Sequence, residues 1–360
     1  MAGGNDGRNT VVPITDSVYR GLRPTIGIGR REALTLDRDT ALHPAMGAMA
    51  DLWESGDLCI VEGVGYPNPN RSHFRSIEIW NAGQGAETKA ADGWVSTAFS
   101  GDAPQGTDAD GLVLGGSMGP LRGPGRFSVL GNEDSFLETV QNLQSAPHAV
   151  RPQAKSALEH VLDTYESAEL TMQTLATRLE RARLRGFEFP DSFLGQQLRS
   201  AARLLEAGVD VPVFKVVHGG FDTHDNQLEE HAYLLEELSE AIGAFSRALR
   251  KMGLWEDVTL VTYSEFGRTA RENGSAGTDH GTAAPVFVAG GGGRGGFDGA
   301  RVDLTRLHED DLVHTTDYRA LYDGLLSGLW DINAPVFQGF RAESLRRFAR
   351  NPATRRTRQS

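Results

Sequence analysis

The chain has 360 residues, 36 of them basic and 48 acidic, which gives a formal net charge of −12. An acidic balance of this size argues against a large nucleic-acid interface, which needs a basic face. The single cysteine, Cys59, excludes an internal disulfide framework and a cysteine-rich zinc module. No stretch approaches the roughly 18 apolar residues of a membrane-spanning helix.

Five short apolar segments are predicted to form strands. Several are rich in valine and isoleucine and are hydrophobic on both faces, as buried parallel strands are. They comprise residues 58–66, 111–116, 213–218, 258–264 and 285–289.

Amphipathic patterns typical of helices lie between these segments. They cover residues 41–55, 72–82, 153–185, 191–207, 228–252 and 318–329. Gly253 follows the fifth of these patterns and predicts that the helix stops there. Strands that alternate with helices predict an α/β fold, with a mixed, mostly parallel sheet sandwiched between helices.

The organisation predicted along the chain is one domain over residues 1–340. Residues from about 88 to 210 interrupt the alternation, being first rich in glycine and proline and then helical, and are interpreted as an insertion. A separate helical subdomain is the alternative. Residues 341–360 form a basic tail, which is expected to be a solvated chain end.

Polar residues follow each predicted strand, where open α/β sheets bind their ligands. Asp222 and His224 come after the third strand and project to the same side if the chain stays extended. A carboxylate and an imidazole so placed suit a divalent metal. The alternative is that Asp222 turns the loop while Asp225 or Asn226 caps the next helix.

Two further segments carry candidate residues. Glu265 and Arg268 follow the fourth strand, and they are either a metal ligand and an oxyanion clamp or a surface ion pair. His280 lies in the glycine-rich loop at residues 273–282, where Asp279 is placed to hold it as a ligand.

Two segments nearer the amino end complete the set. Ser72 is predicted at the first turn of a helix, where a hydroxyl beside a metal is a plausible nucleophile and an ordinary N-cap is the alternative. Asp6 lies in a glycine-rich turn at residues 3–7.

The sequence closely resembles the domain-of-unknown-function family numbered 1501, a family placed within the alkaline-phosphatase/sulfatase superfamily. The resemblance rests on long segments in the same order. These are GGNDGRNTVVPI, GYPNPNRSHFRSIEIW, GGFDTHDNQ, YSEFGRTARENGSAGTDHGTAAPVFVAGG and DYRALYDGLL. It implies an alkaline-phosphatase-like sheet between helices, with one or two metals at the strand ends.

The resemblance also implies roles for individual residues. Ser72 would be the nucleophile, and Arg71 or Arg268 would neutralise charge on the transferred group. Metal ligands are expected at Asp6, Asp222, His224, Glu265 and His280, and His73 and Asp279 are expected to hold these ligands in place. The aspartate–histidine spacing is shorter than in alkaline phosphatases, and Phe266 replaces the usual histidine after the acidic position, so a single-metal enzyme is also possible.

The expected activity is a metal-dependent hydrolysis of phosphate or sulfate esters, on a small anionic substrate. The metal would be zinc, manganese or calcium, as one ion or two. The alternatives are a non-catalytic exported protein that keeps the fold and a metal, and a mutase that transfers a phosphoryl group.

The resemblance implies export to the periplasm, by the twin-arginine route. Met1, however, directly precedes the GGND turn, and no leader or first apolar strand is present in this chain. Either the start is misassigned or truncated, or this member lacks that strand and is cytoplasmic.

Overall fold

The computed structural model describes residues 1–131, 176–178, 186–333 and 337. Over these residues the protein has a mixed α/β fold with several sheets, which confirms the predicted class at that level. The predicted helix at 153–185, except for residues 176–178, and the basic tail at 341–360 lie outside the described residues.

Thirteen strands are present in the described part of the chain. In chain order they are β1 (Val11–Val12), β2 (Leu34–Thr35), β3 (Ala41–Leu42), β4 (Leu58–Gly65), β5 (Gly111–Val113), β6 (Phe127–Val129), β7 (Phe214–Lys215), β8 (Leu260–Val261), β9 (Ala284–Ala289), β10 (Gly296–Asp298), β11 (Leu307–His308), β12 (Asp311–Leu312) and β13 (Thr316–Asp317). The helices are α1 (Gly7–Thr10), α2 (Ser17–Leu22), α3 (Gly47–Glu54), α4 (His73–Ala82), α5 (Trp94–Phe99), α6 (Phe193–Glu206), α7 (Gln227–Met252) and α8 (Tyr318–Trp330).

The largest sheet is built around β4, and every residue of that strand is buried. Its order is β10-β4-β9-β8, with β13 also paired to β4. Strands β10 and β13 run parallel to β4, whereas β9 is antiparallel to both β4 and β8. The strands predicted at 58–66 and 285–289 are confirmed, and this sheet is mixed.

A second sheet has the order β6-β5-β7 and is wholly parallel. Residues 1–3 connect it to the large sheet through main-chain hydrogen bonds. The amide of Ala2 donates to His218, and the Ala2 carbonyl accepts from Phe221. The amino group of Met1 donates to the carbonyl oxygen of Tyr263, at 2.7 Å. The segments that follow β7 and β8 are thereby held side by side.

The predicted helix at 41–55 is wrong in its first part. Ala41 and Leu42 form β3, and α3 begins only at Gly47. Pro44 lies between them, and the residue before a proline is disfavoured in the helical conformation. The helices predicted at 72–82, 191–207, 228–252 and 318–329 are confirmed within two residues at each end.

Helix α7 organises the core on one side of the sheets, where it packs against α3 and α6. It ends as predicted at Gly253, whose φ of +71° is readily accessible to glycine. A second core region contains Trp80 stacked on Tyr318 and Trp94 stacked on Tyr322. No helix in the described part of the chain is long and apolar enough to cross a membrane.

Candidate metal centre

Four chain segments meet at one place on the surface. They are the first turn of α4, the loop after β7, the loop after β8 and the glycine-rich loop before β9. They bring together His73, Asp222, His224 and His280, which we call the His–Asp cluster. The side chains of the cluster are between 25% and 47% exposed, so solvent reaches them.

The three imidazoles approach Asp222 through their Nε2 atoms. Asp222 Oδ1 lies 3.3 Å from His73 Nε2, 3.0 Å from His224 Nε2 and 3.1 Å from His280 Nε2. His280 Nε2 is also 3.1 Å from His73 Nε2 and 3.0 Å from His224 Nε2.

The opposite nitrogen of each imidazole faces an oxygen atom. His73 Nδ1 is 2.9 Å from Glu265 Oε1, and His224 Nδ1 is 3.2 Å from Asp279 Oδ1. His280 Nδ1 is 2.8 Å from the carbonyl oxygen of Arg71. These oxygens accept from any Nδ1 that carries a proton, and in that tautomer each ring turns its Nε2 lone pair towards the cluster, where Asp222 Oδ1 also lies within hydrogen-bond distance.

This donor set fits a divalent cation. With the protons on Nδ1, the Nε2 lone pairs and the carboxylate oxygen of Asp222 need positive charge among them. Arg268, which donates to Asp222 Oδ1 and lies 3.4 Å from His224 Nε2, supplies part of it, and a cation would supply the rest. A metal with bonds of about 2.1 Å to nitrogen separates neighbouring ligand atoms by about 3.0–3.4 Å, which matches the distances within the cluster. Among the described residues, His73, Asp222 and His280 form a group whose ligand atoms all lie within 4.8 Å of one another. His224 does not join this group, although its Nε2 lies 3.0 Å from both Asp222 Oδ1 and His280 Nε2.

The charge state of Asp222 suits a ligand. Its partial burial alone would raise its pKa, but the hydrogen bond and positive charge of Arg268 lower the pKa of Asp222 to about 2. The carboxylate is therefore ionised at neutral pH.

Arg268 is buried beneath the cluster and binds the chain as well as Asp222. Its guanidinium donates to Asp222 Oδ1 at 2.5 Å. It also donates to four main-chain carbonyl oxygens, those of Gly3, Gly4, Phe221 and Thr278. These bonds tie the amino-terminal segment to the loops that carry the cluster, and they occupy the donors expected to clamp an oxyanion.

Glycines allow the loops to approach closely enough to form the cluster. A Cβ atom on Gly277 would lie 2.2 Å from the carbonyl oxygen of His224. A Cβ atom on Gly281 would lie 2.4 Å from the carbonyl carbon of Arg268. The sequence pattern of glycines around His280 thus reflects backbone contact with the two neighbouring loops.

Asp6 lies in a separate buried network. One carboxylate oxygen accepts from the amides of Arg8 and Asn9, and the other accepts from Arg23 at 2.6 Å and from Gln227. Burial alone would raise its pKa, but the charge of Arg23 lowers the pKa of Asp6 to about 2. Among the described residues, Asp6 does not join the group of converging ligand atoms.

Ser72 is the N-cap residue of α4, adjacent to His73. Its side chain is exposed and makes no capping hydrogen bond, so the hydroxyl is available. The Arg71 guanidinium turns away to Asp311, at 3.1 Å, and to Glu309, at 3.5 Å. Burial raises the pKa of Asp311 to about 6, although Arg71 opposes the shift.

Sequence reasoning assigned His73 a supporting role and Glu265 a ligand role, whereas the structure places the His73 ring in the cluster and Glu265 behind it. The available signal was the position of His73 as the first residue of α4. Arg23 and Gln227, the partners of Asp6, were not singled out from the sequence.

No curated protein matches the chain. A model of the family described as "Protein of unknown function (DUF1501)" matches residues 38–326. The matched region contains all four residues of the His–Asp cluster and does not contain Asp6. The chain therefore belongs to the DUF1501 family of proteins of unknown function.

Proposed function

We propose that this protein is a metal-dependent hydrolase of phosphate or sulfate esters, with an alkaline-phosphatase-like architecture. The observation that carries the proposal is the His–Asp cluster, in which the Nε2 atoms of three imidazoles lie 3.0–3.3 Å from one carboxylate oxygen. Its side chains are partly exposed, so a substrate has access to them.

The residues that would hold the metal are His73, Asp222 and His280. His224 lies beside them, with its Nε2 3.0 Å from Asp222 Oδ1 and 3.4 Å from the Arg268 guanidinium. Imidazole nitrogen donors favour zinc over manganese and calcium, which prefer oxygen ligands. When bound, such an ion polarises a substrate oxygen and lowers the pKa of a coordinated hydroxyl or water.

Ser72 is the proposed nucleophile. It begins α4 beside His73, and its hydroxyl is not used as a cap. The amides of the first turn of a ten-residue helix favour an anionic group at this end. The hydroxyl and the anion site therefore lie at the same end of α4.

The described residues support one ion rather than two. Both carboxylate oxygens of Asp6 already accept hydrogen bonds, and Arg23 balances its charge. Glu265 faces the Nδ1 side of His73. Neither carboxylate is placed to share a second ion with the His–Asp cluster.

A non-catalytic metal-binding protein is the second candidate. The observation that favours it is that Arg71 and Arg268, the arginines expected to neutralise the transferred group, are already bound to other groups of the protein. Arg268 is bonded to main-chain carbonyls and Asp222, and Arg71 is paired with Asp311 and Glu309.

The two candidates are separated by metal analysis and turnover on one preparation. Purified protein is expected to contain about one equivalent of a transition-row metal and to hydrolyse p-nitrophenyl phosphate or sulfate. Ser72→Ala should abolish hydrolysis and keep the metal, whereas His280→Ala should lose both. Bound metal with no turnover on a panel of aryl and alkyl esters would establish the non-catalytic candidate, and protein that binds no added metal would eliminate both.

A further inference from the structure

Glu265 occupies a buried position directly behind His73. Its Oε1 atom is 2.9 Å from His73 Nδ1 and 2.9 Å from the amide nitrogen of Gly3. Its side chain is only 5% exposed. Its second oxygen, Oε2, is buried and has no hydrogen-bond partner among the residues that the structure describes.

The two nitrogens of His73 separate Glu265 from the rest of the site. Nε2 faces Asp222 and His280, whereas Nδ1 faces Glu265. Because these nitrogens direct their bonding groups away from each other, the carboxylate lies on the far side of the ring from the cluster. It is therefore badly placed to share an ion with the Nε2 atoms.

We infer that Glu265 is a positioning residue, which orients His73 and fixes its protonated nitrogen so that Nε2 faces the metal. The inference rests on the proposed metal site. A carboxylate that accepts the outer N–H of a metal-bound imidazole selects the correct tautomer and makes the ring a stronger donor.

Gly3 holds the carboxylate in turn. Its amide donates to Glu265 Oε1, and its carbonyl oxygen accepts from Arg268, which also binds Asp222. Its φ is +117°, and a Cβ atom there would lie 2.6 Å from the amide nitrogen of Asp222. Glu265 is thus fixed by the same segment that fixes another member of the cluster.

A double-mutant cycle on zinc affinity tests the inference. The dissociation constant for Zn²⁺ is measured by competition with a chromophoric chelator in the full chain, His73→Ala, Glu265→Gln and the double variant. Glu265→Gln should weaken binding about 10- to 100-fold when His73 is present. In the His73→Ala background the same change should have an effect of less than about twofold, because His73 is the member of the cluster that Glu265 contacts directly.

Glu62→Gln is the matched control. Glu62 is another buried carboxylate, paired with Arg8 at 2.9 Å outside the cluster. This variant should keep the wild-type zinc affinity, even if it is less stable. Circular dichroism of each variant checks that it is folded at the temperature of the titration.

A measurement on the unmodified chain covers the case in which Glu265→Gln does not fold. Nitrogen-detected NMR of the histidine side chains should show His73 protonated at Nδ1 in the zinc-bound protein. Any of three results would overturn the inference. They are independent, multiplicative effects of the two substitutions on the zinc dissociation constant, an unchanged zinc affinity in Glu265→Gln, and a His73 ring without a proton on Nδ1. Absence of zinc binding by the wild type would instead overturn the proposed site itself.

Discussion

The Nδ1 atom of His280 donates to the main-chain carbonyl oxygen of Arg71, at 2.8 Å. The glycine-rich loop is thereby joined to the residues that lead into α4, directly behind one candidate ligand. Because the acceptor is a backbone atom, His280 keeps its orientation whatever side chain residue 71 carries. The guanidinium of Arg71 meanwhile faces Asp311 and Glu309.

Arg71→Ala should therefore leave the zinc affinity within about twofold of wild type, whereas His280→Ala should weaken it at least tenfold. The reason is that the first variant removes only a partly exposed guanidinium, and the second removes a converging nitrogen. Competition titration with a chelator measures both. A tenfold loss in Arg71→Ala would mean that the guanidinium supports the cluster.

Gly277→Ala should disturb the site through the backbone. The added methyl would lie 2.2 Å from the carbonyl oxygen of His224, so the loop or the ligand must move. We expect a loss of about 1–3 kcal/mol in the free energy of unfolding, the usual range for overpacking, together with weaker zinc binding.

Gly274→Ala is the control in the same loop. A Cβ atom there meets nothing within 4 Å, and its φ does not lie in the left-handed region. Urea denaturation and zinc titration of the two variants should therefore differ. Equal free energies of unfolding and equal zinc affinities in the two variants would show that the close backbone approach at Gly277 affects neither stability nor metal binding.

Asp6→Asn should lower the free energy of unfolding without changing zinc binding. The change leaves the buried guanidinium of Arg23 without its carboxylate, which costs about 3–5 kcal/mol in comparable buried pairs. Zinc stoichiometry and affinity should remain those of the wild type, because Asp6 lies outside the group of converging ligand atoms among the described residues. A drop in bound zinc, from two equivalents to one or from one to none, would instead identify Asp6 as a ligand.

The free energy of unfolding should decrease in acid because of a buried histidine next to the Asp6 network. His231 Nε2 lies 2.9 Å from Asn5 Oδ1, and its buried Nδ1 has no hydrogen-bond partner in the described part of the chain. Burial lowers the pKa of His231 from 6.5 to about 3, although Asp6 opposes the shift. The unfolded chain therefore binds an additional proton between these two values.

The sign follows from that difference in bound protons. Stability is unaffected by His231 above pH 6.5 and falls as the pH decreases from 6.5 towards 3. The loss attributable to this residue between pH 6.5 and 4 is on the order of 3 kcal/mol. Urea denaturation with chelator present should show a shallower pH dependence in His231→Gln, and an unchanged slope would contradict the assigned cause.

The sequence predicted the elements that have strong local patterns. The buried run of β4, the long amphipathic α7 and its stop at Gly253 all followed from hydrophobic periodicity and glycine chemistry. The helix at 41–55 was extended too far, because the apolar pattern continued across Pro44 into residues that pair with another strand.

The candidate site was only partly accessible from the sequence. Asp222, His224 and His280 could be picked out, since polar residues beyond strand ends and glycine-flanked histidines are local signals. The positions of His73 in the cluster and Glu265 behind it depend on how α4 and the loop after β8 approach each other. That relationship is set by tertiary packing across 192 residues, for which a single sequence carries no local signal.

The candidate ligands are distant in the chain: His73 and His280 are 207 residues apart, and Asp222 and His280 are 58 apart. An ion held between them would act as a reversible crosslink that closes two long loops, and such links restrict the unfolded chain most. Metal binding should consequently raise the temperature of thermal unfolding and make the transition more cooperative. Without the metal, the folded chain should open first where these distant segments meet.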